Sequence, residues 1–137
     1  MKEIIVYYSH GGNTRDYTEK LASRSGAELC EVHEKSGRNA LTAFCPGCLQ
    51  AMGGKASKIE PLEVDLSAYD KIMLAAPVWA GHPAPAINAV AELLPPGKQV
   101  GVILNSASGE GNADKLSDLI RSRGCEVVGV LNIKKGE

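Results

Sequence analysis

The chain has 137 residues, with 15 Lys and Arg against 16 Asp and Glu, for a formal net charge of −1. That length suits one domain, residues 1–137, with a full core, and the charge balance argues against nucleic-acid or membrane-surface partners. Four cysteines are too few for a disulfide scaffold, and the sequence shows no leader or membrane-spanning apolar run, so a reduced, cytoplasmic chain is expected.

The first predicted strand covers residues 2–8. Its unbroken run Ile4-Ile5-Val6-Tyr7-Tyr8 suits burial on both faces, as in a parallel sheet flanked by helices. The polar stretch Ser9, His10, Gly11, Gly12, Asn13 and Thr14 follows, then a helix over 14–25. The first N–H groups of a helix have no intrahelical partner, and the helix dipole is positive at that end. Two glycines let the backbone close around a ligand. The stretch therefore reads either as a cradle for one phosphate or as a polar turn capped at Asn13 or Thr14. It fits neither the nucleoside-triphosphate loop nor the dinucleotide fingerprint. In the helix, Tyr17 and Leu21 form a narrow apolar stripe beside Thr18 and Ala22, and Gly26 is its stop. A short strand over 28–33 has the partial alternation of a sheet edge, and His33 stands exposed at its end. A lone histidine offers no metal site, and none is expected.

A long connection covers 35–69. Leu41, Phe44, Cys45, Cys48, Leu49 and Met52 repeat with helical spacing, Pro46-Gly47 interrupts them, and Gly53-Gly54 ends the run. Cys45-Pro46-Gly47-Cys48 is either a redox-active pair or two small hydrophobes on the apolar stripe. With no second such pair and no histidine cluster, zinc is disfavoured. Residues 55–66 are expected to run extended over the surface.

The third strand is predicted over 70–76. Pro77, Val78, Trp79, Ala80, Gly81, His82 and Pro83 follow, holding the only tryptophan at the carboxyl end of a central strand, where open α/β sheets bind ligands. A helix over 85–94 should turn Ile87, Val90, Ala91 and Leu94 inward. The fourth strand spans 99–104. After it comes a small, polar stretch containing Ser106, Ala107, Ser108, Gly109, Glu110 and Gly111, expected to offer free backbone amides. A helix over 112–123, with Leu116, Leu119 and Ile120 inward, and a strand over 126–133 complete the alternation. Strictly alternating elements imply a parallel sheet with right-handed crossovers. Three loops then share one sheet edge and offer phosphate donors, an indole and small residues. Flavin mononucleotide (FMN) has the matching phosphate and flat aromatic body.

These three loops resemble those of the flavodoxin family. Ser9, Gly12, Asn13 and Thr14 match the [ST]-x-T-G-N-T phosphate loop, with Gly11 where the family usually has threonine. Pro77 to Gly81 resembles the loop carrying a flavin-stacking aromatic. The resemblance implies an α/β, flavodoxin-like, doubly wound five-stranded parallel sheet of order 2-1-3-4-5 and noncovalent FMN. It implies that Ser9, His10, Gly11, Gly12, Asn13 and Thr14 hold the phosphate. Trp79 would lie on the ring, and Pro77, Val78, Ala80, Gly81, His82, Ser106, Ala107, Ser108, Gly109 and Gly111 would line it.

Three departures from that family bear on function. The chain is near neutral, whereas electron-carrier flavodoxins are typically strongly acidic. Residues 106–111 contain no aromatic residue to cover the outer flavin face. The usual C-terminal helix is absent, so strands four and five would leave one sheet face bare, and such patches usually mark interfaces. The first two departures favour a small NAD(P)H oxidoreductase with a quinone-type acceptor. The alternatives are a one-electron carrier serving a redox protein and a flavodoxin-shaped interaction module without tight FMN. The third departure predicts a homodimer through the bare face.

Overall fold

The computed structural model describes residues 1–35 and 51–135. The elements run β1 (Glu3–Tyr7), α1 (Asn13–Ser25), β2 (Glu28–Glu31), a 3-10 turn (Leu66–Ala68), β3 (Lys71–Trp79), β4 (His82–Pro83), α2 (Pro85–Ala91), β5 (Gln99–Ser106), α3 (Asp114–Ser122) and β6 (Glu126–Lys134). The sheet order is β2-β1-β3-β5-β6, all parallel, and the two-residue β4 pairs antiparallel with the end of β3. The strand order reverses at β1/β3, as the sequence predicts for a doubly wound sheet.

The larger core lies on the face covered by α2 and α3. Ile4, Val6, Ile72, Leu74, Val100, Val102 and Leu104 of the sheet meet Ile87, Val90, Leu94, Leu116 and Ile120, all essentially solvent-free. The predicted inward positions of α2 hold, and every residue of this helix is buried, including Asn88. Asn88 stays satisfied by donating its Nδ2 hydrogen to the Lys55 carbonyl at 3.0 Å. On the opposite face α1 covers a smaller cluster of Ile5, Tyr7, Ala22, Ala75, Ile103 and Ile133. The Gly26 stop holds: its φ is 76°, and its N–H donates to the Ala22 carbonyl at 2.8 Å.

Four expectations need correction. β2 ends at Glu31, not residue 33. Residues 55–66 are no free surface segment: Ile59, Leu62 and Val64 pack on the larger core, and Ile59 bridges Glu34. β3 runs on through Pro77, Val78 and Trp79 and turns back as a hairpin. The bare face is also narrower than expected. β5 is buried from Val100 to Asn105, with Met73 lying across Gly101 and Ile103 packed into the α1-side cluster, while exposure concentrates on β6 at Val128, Val130 and Leu131. The predicted second helix, with Leu41, Phe44, Cys45, Cys48 and Leu49, lies outside the described residues. Cys30 and Cys125 sit at opposite sheet edges as buried free thiols. No helix among the described residues is long and apolar enough to cross a membrane.

Candidate functional site

β1 delivers the chain to the carboxyl edge of the sheet at Tyr8, whose N–H donates to the Ala75 carbonyl of β3 at 3.0 Å. Gly11 and Gly12 then take φ values of 93° and 96°, and α1 begins at once. Such angles strain any residue with a Cβ, which explains the glycine pair. A Cβ at either would meet no atom within 4 Å, so open space lies above the turn. Among the described residues no side chain caps the helix at Gly12. Ser9 instead accepts from the Arg15 N–H at 3.3 Å, which leaves its own hydroxyl hydrogen available to an anion. The N–H groups preceding Arg15 in the first turn remain the orphan donors that suit a phosphate. Asn13 is exposed at this mouth, whereas Thr14 is buried beneath it.

No cation enters this cradle from α1. The Arg15 guanidinium pairs with the Glu31 carboxylate, and the Tyr7 hydroxyl donates to Glu31 at 3.3 Å. Burial, followed by the Glu31 charge, holds the Tyr7 phenol above its ordinary pKa.

Trp79 sits at the tip of β3, and its register pairs it with His82 across a turn made by Ala80 and Gly81. Both turn residues have positive φ, 51° and 81°, as a two-residue hairpin of type I′ demands. The His82 ring Nδ1 lies 3.0 Å from the Ala80 carbonyl, so His82 clamps the turn instead of standing free in solvent. The indole, half-buried, meets the Tyr8 ring edge-on at a centroid distance of 5.9 Å. It meets the His10 ring at the same distance and at 89°. The His10 side chain therefore packs against the tryptophan.

The third loop closes on itself. Ser106 Oγ accepts from the N–H groups of Gly109 and Glu110 at 2.9 and 3.0 Å, so those two amides are not the free donors that the sequence suggests. Ala107 and Ser108 stand exposed at its tip. Gly111 is required by packing, since a Cβ there would fall 2.7 Å from Val78 Cγ2.

The three loops are tied together. His10 joins the first loop to Trp79, and the Asn112 N–H donates to the Gly81 carbonyl at 2.7 Å, joining the third loop to the hairpin. Tyr8 and Asn112 were missed as site-building residues. The signal for Tyr8 was an aromatic residue directly before a ligand loop; nothing local marks the backbone bond of Asn112. Among the described residues no group of three or more histidine, cysteine and carboxylate side chains could hold a metal ion.

No family model and no curated protein matches the chain. Solved structures do. A flavoprotein from Lactobacillus acidophilus NCFM, crystallised in complex with FMN, is 28% identical with a TM-score of 0.74, over 94% of this chain and 91% of that one. A protein from Bacteroides eggerthii DSM 20697 classed as a flavoprotein gives a TM-score of 0.79 at 20% identity, over 98% and 90% of the two chains. Flavodoxin 1 from Bacillus cereus gives 0.57 at 19% identity, over 100% and 86%. The fold is flavodoxin-like, and these matches bear out the resemblance read from the three loops.

Proposed function

We propose that this chain binds FMN noncovalently and works as a cytoplasmic flavin-dependent oxidoreductase. NAD(P)H is its donor class and a quinone-type molecule its acceptor class. The observation that carries the cofactor assignment is the uncapped start of α1, with two adjacent positive-φ glycines, tied through His10 to the half-buried Trp79. The 28% identity to an FMN-bound flavoprotein over nearly the whole chain supports it.

The residues present fit the group. The orphan N–H donors of the first helical turn and the Ser9 hydroxyl would take the phosphate, and the Trp79 indole would flank the ring system. Pro77 to His82 and Ser106 to Gly111 would form the rim. When bound, the flavin supplies reversible one- or two-electron transfer, chemistry that no side chain offers. The chain's own residues bind and orient. Tyr8 and His10 hold the indole, and His82 holds the hairpin that carries it. The third loop presents Ala107 and Ser108, too small to cover an aromatic ring. That leaves room for a second flat molecule, which favours the oxidoreductase over a pure electron carrier.

The test begins with an absorbance spectrum of the purified chain after FMN loading and gel filtration. Retained flavin absorbance is expected, followed by NAD(P)H consumption when a quinone is added. Trp79→Ala should weaken FMN binding by roughly 10- to 100-fold, the worth of a lost aromatic stack of about 1–3 kcal/mol. A colourless eluate sinks the cofactor assignment. Retained flavin without NAD(P)H consumption leaves the carrier.

A further inference from the structure

Through one of the rings that hold it, Trp79 is connected to a carboxylate that the proposed flavin contacts do not use. Trp79 is the only tryptophan of the chain. Among the described residues, Tyr8 is the tyrosine whose ring meets it, edge-on, at a centroid distance of 5.9 Å and an interplanar angle of 85°. That is an ordinary geometry for an aromatic pair in contact. The Tyr8 side chain is buried, and its hydroxyl donates to Glu34 Oε1 at 2.7 Å. Indole, phenol and carboxylate thus follow one another as half-buried, buried and half-buried groups.

Main-chain bonds hold each member of this row in place. Trp79 is paired with His82 in the hairpin, and the Tyr8 N–H donates to the Ala75 carbonyl at 3.0 Å. Glu34 sits in a short ladder. The Lys35 N–H donates to the Lys58 carbonyl at 3.0 Å, the Glu60 N–H donates to the His33 carbonyl at 2.7 Å, and Glu34 bridges Ile59 between them. Backbone geometry therefore brings the carboxylate to the phenol. Tyr7 offers a contrast. Its hydroxyl also meets a glutamate, Glu31, but at 3.3 Å and on the α1-covered face, and among the described residues no ring contact joins Tyr7 to the indole.

A phenol gives up an electron readily only when its proton leaves as well, because the phenol radical cation is a very strong acid. An ionised carboxylate, which only accepts hydrogen bonds, is the partner that takes such a proton. Tyr8 has both things that the transfer needs: an indole at its ring edge and a carboxylate at its hydroxyl.

From this row we infer that Tyr8 and Glu34 form a relay that refills Trp79 after one-electron oxidation. The oxidant is a one-electron oxidising radical, which takes one electron from the indole. The Tyr8 ring returns one electron to the indole across the edge contact. In the same step the Tyr8 O–H bond breaks and its proton bonds to Glu34 Oε1. The products are an intact Trp79, a neutral Tyr8 phenoxyl radical and an uncharged Glu34 carboxyl group. The indole loses its positive charge as the carboxylate loses its negative one, so the step leaves no unpaired charge in the core. The vacancy moves from an indole at the edge of the candidate site to a phenol inside the protein. This relay goes beyond the flavin reading and stands apart from it, because all three groups belong to the chain.

The test uses the full chain as purified, where a single indole makes the readout unambiguous. Azide radicals made by pulse radiolysis oxidise the tryptophan, and the visible absorbance of its radical is followed as the narrow near-ultraviolet band of a tyrosyl radical replaces it. First-order transfer at a rate independent of protein concentration is expected. Tyr8→Phe keeps the ring but removes the proton, and it should abolish the transfer. Glu34→Gln keeps a hydrogen-bond acceptor but is a far weaker base, and it should slow the transfer roughly tenfold or more, a modest figure for the loss of a positioned base. Heavy water should slow the unaltered chain too, since the O–H bond breaks in the step. A tryptophan radical that decays without a tyrosyl radical overturns the inference. So does transfer that survives Tyr8→Phe, or transfer that Glu34→Gln or heavy water leaves unchanged.

Discussion

Gly101, buried on β5, and Gly111, half-buried in the loop between β5 and α3, differ in what an added methyl would meet. At Gly111 an added Cβ would lie 2.7 Å from Val78 Cγ2, 3.1 Å from Leu104 Cδ1 and 3.3 Å from Asn132 Oδ1. Carbon atoms pack at about 3.5–4.0 Å, so Val78 would have to retreat by nearly 1 Å. It cannot do so cheaply: it is β-branched, stiff at χ1, and pinned in the ladder opposite Pro83. At Gly101 the overlap looks worse, 2.6 Å to both Cε and Sδ of Met73. There the obstacle is the end of a flexible thioether that can swing toward an open recess. Gly111→Ala is therefore expected to destabilise by about 1–3 kcal/mol, and Gly101→Ala by less than about 1 kcal/mol. The Gly111 change should also weaken FMN binding, because Val78 adjoins Trp79, whereas the Gly101 change should not. Urea denaturation and flavin titration of both variants give the answer. If Gly101→Ala costs as much stability as Gly111→Ala, the reasoning from the rigidity of the neighbour is wrong.

Ala80→Asn should stabilise by about 1 kcal/mol, because asparagine tolerates the left-handed φ of 51° that costs alanine strain, and thermal denaturation should show a rise of a few degrees. An unchanged or lower midpoint would mean that Ala80 is not strained. Stability should also fall at alkaline pH. Burial is the leading cause raising the pKa of Cys30, Tyr7 and Tyr69, so the unfolded chain ionises first and gains stability as pH climbs. The loss should begin near the ordinary thiol pKa of about 8.5 and continue past the ordinary phenol value of about 10, and Tyr7→Phe should blunt its upper part. Denaturation midpoints that stay flat from pH 8 to 11 would contradict this.

The alternation of elements and the glycine turn before α1 were legible because both are written locally. A continuous apolar run followed by Ser-His-Gly-Gly-Asn-Thr states a buried strand and a glycine turn at a helix start, and the positive φ of both glycines agrees. The hairpin was not legible, because alanine at the first turn position does not announce a type I′ turn even with Gly81 after it, and prolines at both ends of the segment argue against a strand. The packing of residues 55–66 was legible and missed: Leu62, Val64 and Leu66 alternate with polar residues, the pattern of a half-buried extended segment. The self-closure of the Ser106 loop depends on a hydroxyl meeting backbone groups three and four residues away, which no residue type specifies by itself. The pairing of Arg15 with Glu31 links two elements 16 positions apart and follows only once β1 and β2 are in register.

If the site binds FMN as proposed, that pairing would shape how it selects its ligand. An arginine in the first turn of α1 would ordinarily be the first candidate to meet a phosphate. Here Glu31 and Tyr7 hold it on the α1-covered face of the sheet, so among the described residues of β1 and α1 the proposed cradle would present neutral donors and a helix dipole, not a full positive charge. Neutral donors bind an anion weakly unless something else fixes it in place, because the phosphate gives up strong hydration for hydrogen bonds of similar strength. The affinity must then come largely from the body attached to that phosphate. Trp79 would fill this role on the proposed reading, as an indole held edge-on by two rings at the end of a clamped hairpin. A free phosphate would engage only the first half of the proposed site and an aromatic base without phosphate only the second. Such an arrangement would favour a ligand that carries both at a fixed separation, with the cradle setting orientation and the indole supplying most of the contact.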